Sequence, residues 1–185
     1  MKGDSLKKVL AICGSTRQHS ANLQIIKAVQ ELAATELDIE IYNDLTALPH
    51  FNPDLDNDNS PSIVNAFRNK IETADGVLIC TPEYVFSLPG SLKNAIEWTV
   101  STTVFSNKPV AIITASGLGE KAHESLQVIM RTIQAKMVPE TQLLIQGARA
   151  KLGSAGEISD ETTLNKVKEL VSSFSGLMKP EQEQV

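Results

Sequence analysis

Short apolar runs alternate along this chain with stretches in which apolar residues recur at helical spacing. Lys8 to Cys13, Gly76 to Cys80 and Pro109 to Ala115 are nearly continuous apolar runs, as expected of parallel strands buried on both faces. Asp38 to Asn43 alternates Ile39 and Ile41 with polar residues and predicts a strand nearer a sheet edge; Thr141 to Gln146 predicts a fifth strand. Between them lie helical patterns. Leu23, Ile26, Val29 and Leu32 share one predicted face, as do Ile63, Phe67 and Ile71. Leu92, Ala95, Ile96 and Thr99 form a third face, and Leu126, Ile129, Ile133 and Met137 a fourth, within a helix expected over about 120–136. Leu164, Val167, Val171 and Phe174 line the last.

The helix starts carry their own signals. Ser20 precedes the first helix, Ser60-Pro61 reads as an N-cap followed by proline at the first helical position, and Pro89-Gly90 opens the third. Ser159-Asp160 caps the last helix. Five strand–helix alternations imply an α/β fold, a parallel sheet with helices on both faces. No internal repeat, linker or change of composition divides the 185 residues, so a single domain is expected, with a fraying polar tail from Lys179. The polar stretch from Asp44 to Asn59 is long for a loop inside a compact domain and is expected to be functional or mobile.

Composition narrows the function. A net charge of -5, with no cluster of Lys or Arg, argues against nucleic-acid binding. No apolar run reaches membrane-spanning length, and the N-terminus lacks the apolar core of a signal peptide. Cys13 and Cys80 both fall inside strand patterns, which fits buried thiols in a reducing compartment; the cytoplasm is the expected location. His19, His50 and His123 have no partners at ligand spacing, so no metal site is expected.

Chemistry is expected where ligands bind in open α/β sheets, in the loops at the carboxyl ends of the strands. The first such loop reads Gly14-Ser15-Thr16-Arg17-Gln18-His19-Ser20-Ala21-Asn22. It is neither a dinucleotide fingerprint nor a P-loop. It offers hydroxyls at Ser15, Thr16 and Ser20, an amide at Asn22 and a cation at Arg17, within reach of the free N–H groups of a helix that starts at about Ser20. That set suits a phosphate monoester, against the plainer possibility that Ser20 only caps the helix and Arg17 is solvated. A tyrosine-phosphatase loop of the Cys-x5-Arg kind does not fit, because only three residues separate Cys13 from Arg17. The loop after the third strand, Thr81-Pro82-Glu83-Tyr84-Val85-Phe86, is unusually apolar at its tip, either lining a pocket or packing on a neighbouring subunit. A third loop, Ser116-Gly117-Leu118-Gly119, has glycines that let backbone approach a flat ligand.

The second loop and its helix carry a resemblance. Thr81, Pro82, Glu83, Tyr84, Ser87, Pro89, Gly90, Leu92, Lys93, Asn94, Ala95, Ile96 and Trp98 match the pattern T-P-E-Y-N-x-S-x-P-G-x-L-K-N-A-I-D-W of the NAD(P)H-dependent FMN reductases, flavodoxin-like quinone, azo-dye and chromate reductases among them. Val85 stands where the family has Asn, and Glu97 where it has Asp. The first loop resembles the same family's phosphate loop, G-S-x-R-x-x-S-x-N, while Glu120 follows Gly119 where the family has a Gly-Gly pair. The resemblance implies a flavodoxin-like sheet of order 2-1-3-4-5. It implies FMN held at Ser15, Thr16, Arg17, Ser20, Ala21, Asn22, Thr81, Pro82, Glu83, Tyr84, Val85, Ser116, Gly117 and Gly119, with no catalytic side chain of its own.

NADPH or NADH is then the expected hydride donor. A small-molecule electron acceptor follows in a ping-pong cycle: a quinone, an azo compound, a metal oxyanion or free flavin. Homodimers or homotetramers are expected by the same resemblance, with Val85, Phe86 and Ser101 to Phe105 near the substrate mouth. A flavin-binding or redox-sensing protein that does not turn over is the alternative.

Overall fold

The computed structural model describes residues 6–57 and 60–179. Five strands, β1 (Lys7–Cys13), β2 (Leu37–Tyr42), β3 (Gly76–Thr81), β4 (Val110–Ser116) and β5 (Gln142–Gln146), form one parallel sheet in the order β2-β1-β3-β4-β5. The helices are α1 (Ala21–Leu32), α2 (Ser62–Thr73), α3 (Gly90–Glu97), α4 (Glu120–Thr132) and α5 (Glu161–Leu177). The expected α/β class and strand order are those observed, with β2 at an edge.

Alternate strand residues point to opposite faces. Val9, Ala11 and Cys13 of β1 pack with α1 and α5, whose Ile25, Ile26, Val167 and Phe174 are buried. Leu10 and Ile12 pack instead with α2, α3 and α4, around Phe67, Leu92, Trp98 and Leu126. All six residues of β3 are buried, because helices cover both of its faces.

Several element ends differ from the sequence reading. Ser60 is not the cap of α2; Pro61 is, and its carbonyl accepts from the Val64 and Asn65 N–H groups. Ser60 turns away, donating to the Asn57 carbonyl at 2.6 Å. Helix α4 stops at Thr132, short of the expected 136, because Gln134 enters the left-handed region at φ 62°. Leu32, expected on the buried face of α1, is 38% exposed at its end, whereas Ile25 is buried.

The stretch from Asp44, outside positions 58 and 59, is built rather than loose. Leu45 and Leu48 are buried, and two short 3-10 helices span Leu45–Ala47 and Pro53–Leu55. The Asn94 amide donates to the Pro49 carbonyl at 2.9 Å and accepts from the Phe51 N–H at 2.7 Å. The Trp98 indole donates to the same carbonyl at 2.8 Å, and its ring meets Phe51 edge-on, 5.1 Å between centroids. Arg68 on α2 pairs with Asp56 at 2.5 Å and donates to the Trp98 carbonyl at 2.6 Å. Burial pushes the Asp56 carboxyl up, but the hydrogen bonds from Arg68 and Ser101 and the Arg68 charge hold it below its ordinary value. The polar tail lies outside the described residues from position 180.

Helix α5 begins as expected, its N-cap Asp160 accepting from the Thr163 N–H at 2.8 Å and hydroxyl at 2.6 Å. Those two hydrogen bonds lower the Asp160 pKa beneath its ordinary 3.8. A folded-state value below the unfolded one gives stability that is full above the unfolded value and lost as pH falls through the folded one. Asp160→Ala should therefore lower the urea midpoint at pH 7, and the gap to the parent chain should narrow as the buffer is taken below the ordinary 3.8. A gap independent of pH would show that the carboxylate charge does not contribute.

Candidate functional site

Because the strands are parallel, the loops after β1, β3, β4 and β5 all leave the same edge of the sheet. There they enclose a cleft of about 440 Å³, lined by Ser15, Arg17, Ser20, Ala21, Asn22, Pro82, Tyr84, Ala115, Ser116, Gly117 and Gly147 to Ala150. It spans the point where strand order reverses between β1 and β3.

The first wall is the start of α1. Ser20 caps it, its hydroxyl accepting from the Leu23 N–H at 3.0 Å. The Ala21 and Asn22 N–H groups have no acceptor among the described residues and stand in the cleft lining. The Asn22 side chain, expected to serve an anion, is turned inward instead. Its amide donates to the Ala115 carbonyl at 3.2 Å and its oxygen accepts from the Cys80 thiol at 3.3 Å. Asn22 therefore gives the cleft a backbone N–H and uses its side chain to tie α1 to β3 and β4. The Arg17 guanidinium is exposed and unpaired among the described residues. Thr16 does not line the cleft; it borders a neighbouring hollow with Asn43 and Thr46.

The second and third loops are joined by Glu83. Its carboxylate accepts from the Gly119 N–H at 3.2 Å and the Ala122 N–H at 3.0 Å, at the start of α4. A carboxylate there satisfies unpaired helix amides and faces the positive end of the helix dipole. Gly119 holds φ 90°, a left-handed backbone that glycine adopts without strain, so glycine is favoured there. Neither Glu83 nor Gly119 lines the cleft, and Thr81 is fully buried beneath it; all three hold its frame.

The tip of the second loop is a two-residue hairpin. Tyr84 and Ser87 exchange two backbone hydrogen bonds of 3.0 Å, and between them Val85 and Phe86 have φ 52° and 54°. Two positive φ values in a two-residue turn mark type I′, which favours Asn and Gly. Val85 is β-branched and 96% exposed; Phe86 is 70% exposed. Val85 thus stands away from the cleft lining, and the difference from the family's Asn falls first on the backbone. Tyr84, at the foot of the hairpin, does line the cleft.

The wall formed by Gly147 to Ala150 lies outside the positions that the resemblance implies, although its basic, glycine-containing composition is visible in the sequence. Cys13 and Cys80 are free and buried. Burial raises both thiols above their ordinary value of 9.0, Cys80 the further, with the nearby Cys13 adding to the rise. Neither is a ready nucleophile. Burial also lowers the pKa of His123, whose Nδ1 lies 2.9 Å from the Thr114 hydroxyl.

The hairpin yields a direct test. Replacing Val85 by Asn, which tolerates a left-handed backbone, should raise stability by about 1 kcal/mol, read as a higher urea midpoint. A lowered midpoint would mean that the Val85 side chain is held by another surface.

Comparison with known proteins agrees with this geometry. The chain is 32% identical over 186 aligned positions to an NAD(P)H:quinone oxidoreductase of Solanum tuberosum, covering 96% of this chain and 95% of that protein. It is 32% identical to the NADH:(hydroxy)cinnamate reductase subunit CrdA of Vibrio ruber over 89% of this chain and 84% of that one. Among solved structures, the flavoenzyme NAD(P)H:(acceptor) oxidoreductase FerB from Paracoccus denitrificans superposes with a TM-score of 0.80 at 30% identity, covering 94% of this chain and 97% of that one. Residues 7–150 match the model of the family described as NADPH-dependent FMN reductase. With that match spanning β1 through the fourth wall of the cleft, the chain belongs to the NADPH-dependent FMN reductase family and is an NAD(P)H-dependent oxidoreductase of flavodoxin-like fold.

Proposed function

We propose that the cleft holds FMN and that the chain passes reducing equivalents from NADH or NADPH to a quinone-type small molecule. The observation that carries this is the first wall: two unpaired helix N–H groups, two serine hydroxyls and a free guanidinium, in a cleft whose lining has no carboxylate. A phosphate monoester carries about two negative charges near neutral pH and several acceptor oxygens, which this wall matches. The residues present fit the group. Ser15, Arg17, Ser20, Ala21 and Asn22 hold its phosphate; Pro82, Tyr84, Ser116 and Gly117 face its ring. A volume of about 440 Å³ lies within the range of cofactor pockets.

FMN, when bound, supplies the two-electron chemistry, taking hydride from the nicotinamide and giving it up to the acceptor. The protein's own part is binding and orientation. Among the described residues no Asp, Glu, His, Lys or Cys lines the cleft, so these side chains supply no acid–base pair there. The Arg17 charge and the α1 amides neutralise the phosphate. The Glu83 carboxylate fixes the third loop against the second, so that the Ser116 and Gly117 backbone is held rather than free to collapse. Tyr84 presents a half-exposed aromatic face at the mouth.

The quinone-type acceptor is favoured by the Solanum relative, whereas the Vibrio relative is named as a subunit of an NADH:(hydroxy)cinnamate reductase. A homo-oligomer is favoured by large apolar side chains at that mouth. Val85 at 96% and Leu118 at 61% exposure directly follow cleft-lining residues, and Phe86 beside Val85 is 70% exposed. A cytoplasmic setting fits the two reduced thiols, and among the described residues no helix is long and apolar enough to cross a membrane.

The test is titration of the protein with FMN and with riboflavin. Arg17→Ala should weaken FMN about ten- to a hundredfold, from the loss of one charge-assisted contact, and leave riboflavin nearly unchanged. Equal losses for both ligands would move the phosphate elsewhere.

A further inference from the structure

We propose that Arg149 is a second phosphate-recognising side chain of the cleft, a role that rests on the reading of the cleft as a site for FMN and its dinucleotide donor. Arg149 follows β5 on a short 3-10 helix, Ala148–Lys151, and lines the cleft opposite the loop that carries Arg17. It is exposed, and no described residue offers its guanidinium a hydrogen bond or a counter-charge. Arg68, by contrast, is fully engaged by Asp56 and the Trp98 carbonyl.

The backbone beneath Arg149 is nevertheless fixed. The Gly147 N–H donates to the Gly117 carbonyl at 3.0 Å, joining this turn to the third loop. The Ala150 N–H donates to the Gly147 carbonyl at 2.9 Å, and Ala148 is only 3% exposed. The Ser159 N–H donates to the Lys151 carbonyl at 2.9 Å and holds the far end. A rigid base therefore carries a free guanidinium. Its five donors suit the paired oxygens of a phosphate better than any part of a neutral quinone.

Charge balance points the same way. The whole chain is acidic, at -5, yet the charged residues lining this cleft are Arg17 and Arg149, both cations. A bound phosphate monoester brings about two negative charges. Arg17 and the helix start of α1 offset roughly one and a half of them, the helix end counting as about half a charge. A nicotinamide dinucleotide brings a diphosphate besides. Either source leaves negative charge for Arg149, and the chemistry recognised, phosphate oxygen, is the same in both.

The variants are Arg149→Gln, which removes the charge at an exposed position, and Arg149→Lys, which keeps it. FMN and riboflavin are titrated by flavin fluorescence, and a non-reducing tetrahydronicotinamide dinucleotide is titrated into the FMN-loaded protein by calorimetry. If the flavin phosphate is the source, Arg149→Gln lowers FMN affinity about tenfold or more and spares riboflavin. If the donor's diphosphate is the source, the dinucleotide loses about as much and FMN is spared. In both cases Arg149→Lys recovers part of the loss, and added salt shrinks the difference. A parent chain that binds FMN normally, with Arg149→Gln altering neither ligand by more than about twofold, overturns this role for Arg149 alone. A parent chain that binds no FMN overturns the flavin reading of the cleft, and this role with it.

Discussion

The ends of β1 and β3 are pressed together at Gly14 and Thr81, and the cleft is built outward from that contact. The Gly14 N–H donates to the Cys80 carbonyl at 2.8 Å. A Cβ at Gly14 would stand 2.8 Å from the Thr81 Cβ and closer still to its hydroxyl. Above this contact the chains leaving β1 and β3 run into the first and second loops, whose Ser15 and Pro82 line the cleft. The opening between them is the cleft. Only glycine allows the approach, and the buried Thr81 hydroxyl is satisfied locally by the Pro82 carbonyl at 3.1 Å.

From there each loop is tied to the next. Asn22 links α1 to the ends of β3 and β4, Glu83 links the second loop to the start of α4, and the Gly147 N–H links the fourth wall to the third. The cleft is thus preorganised largely by backbone amides and carbonyls joined through a few polar side chains. Its exposed cations remain free for a ligand. The apolar surface at its mouth is concentrated on one hairpin, whose backbone carries the strain of two residues at positive φ.

Much of this was legible because parallel strands buried on both faces leave continuous apolar runs, and β1, β3 and β4 stand out for that reason. The capping role of Ser20 was legible because a serine before a helical pattern can accept from a free N–H of the first turn. What escaped depends on contacts between distant residues. Asn94 and Trp98 belong to the family pattern, yet their polar atoms serve Pro49 and Phe51, which no local spacing reveals. The same contacts explain why a polar stretch expected to be functional or mobile is packed. Asn22 reads as a ligand for an anion because its inward turn is set by the ends of two strands far along the chain. Position 85 shows in the sequence only as Val in place of the family's Asn, whereas its φ makes the difference first a matter of turn geometry. Gly147 to Ala150 gave only a composition, and the fold alone brings it to the cleft.

The central claim, that this cleft is a flavin redox site, is met most directly by anaerobic mixing of the FMN-loaded protein with NADPH or NADH, followed by a benzoquinone. The flavin's visible absorbance should bleach with the nucleotide alone and return when the quinone is added, in two separable steps. Flavin that binds but stays coloured with both nucleotides, or bleaches only when nucleotide and quinone are present together, would contradict it.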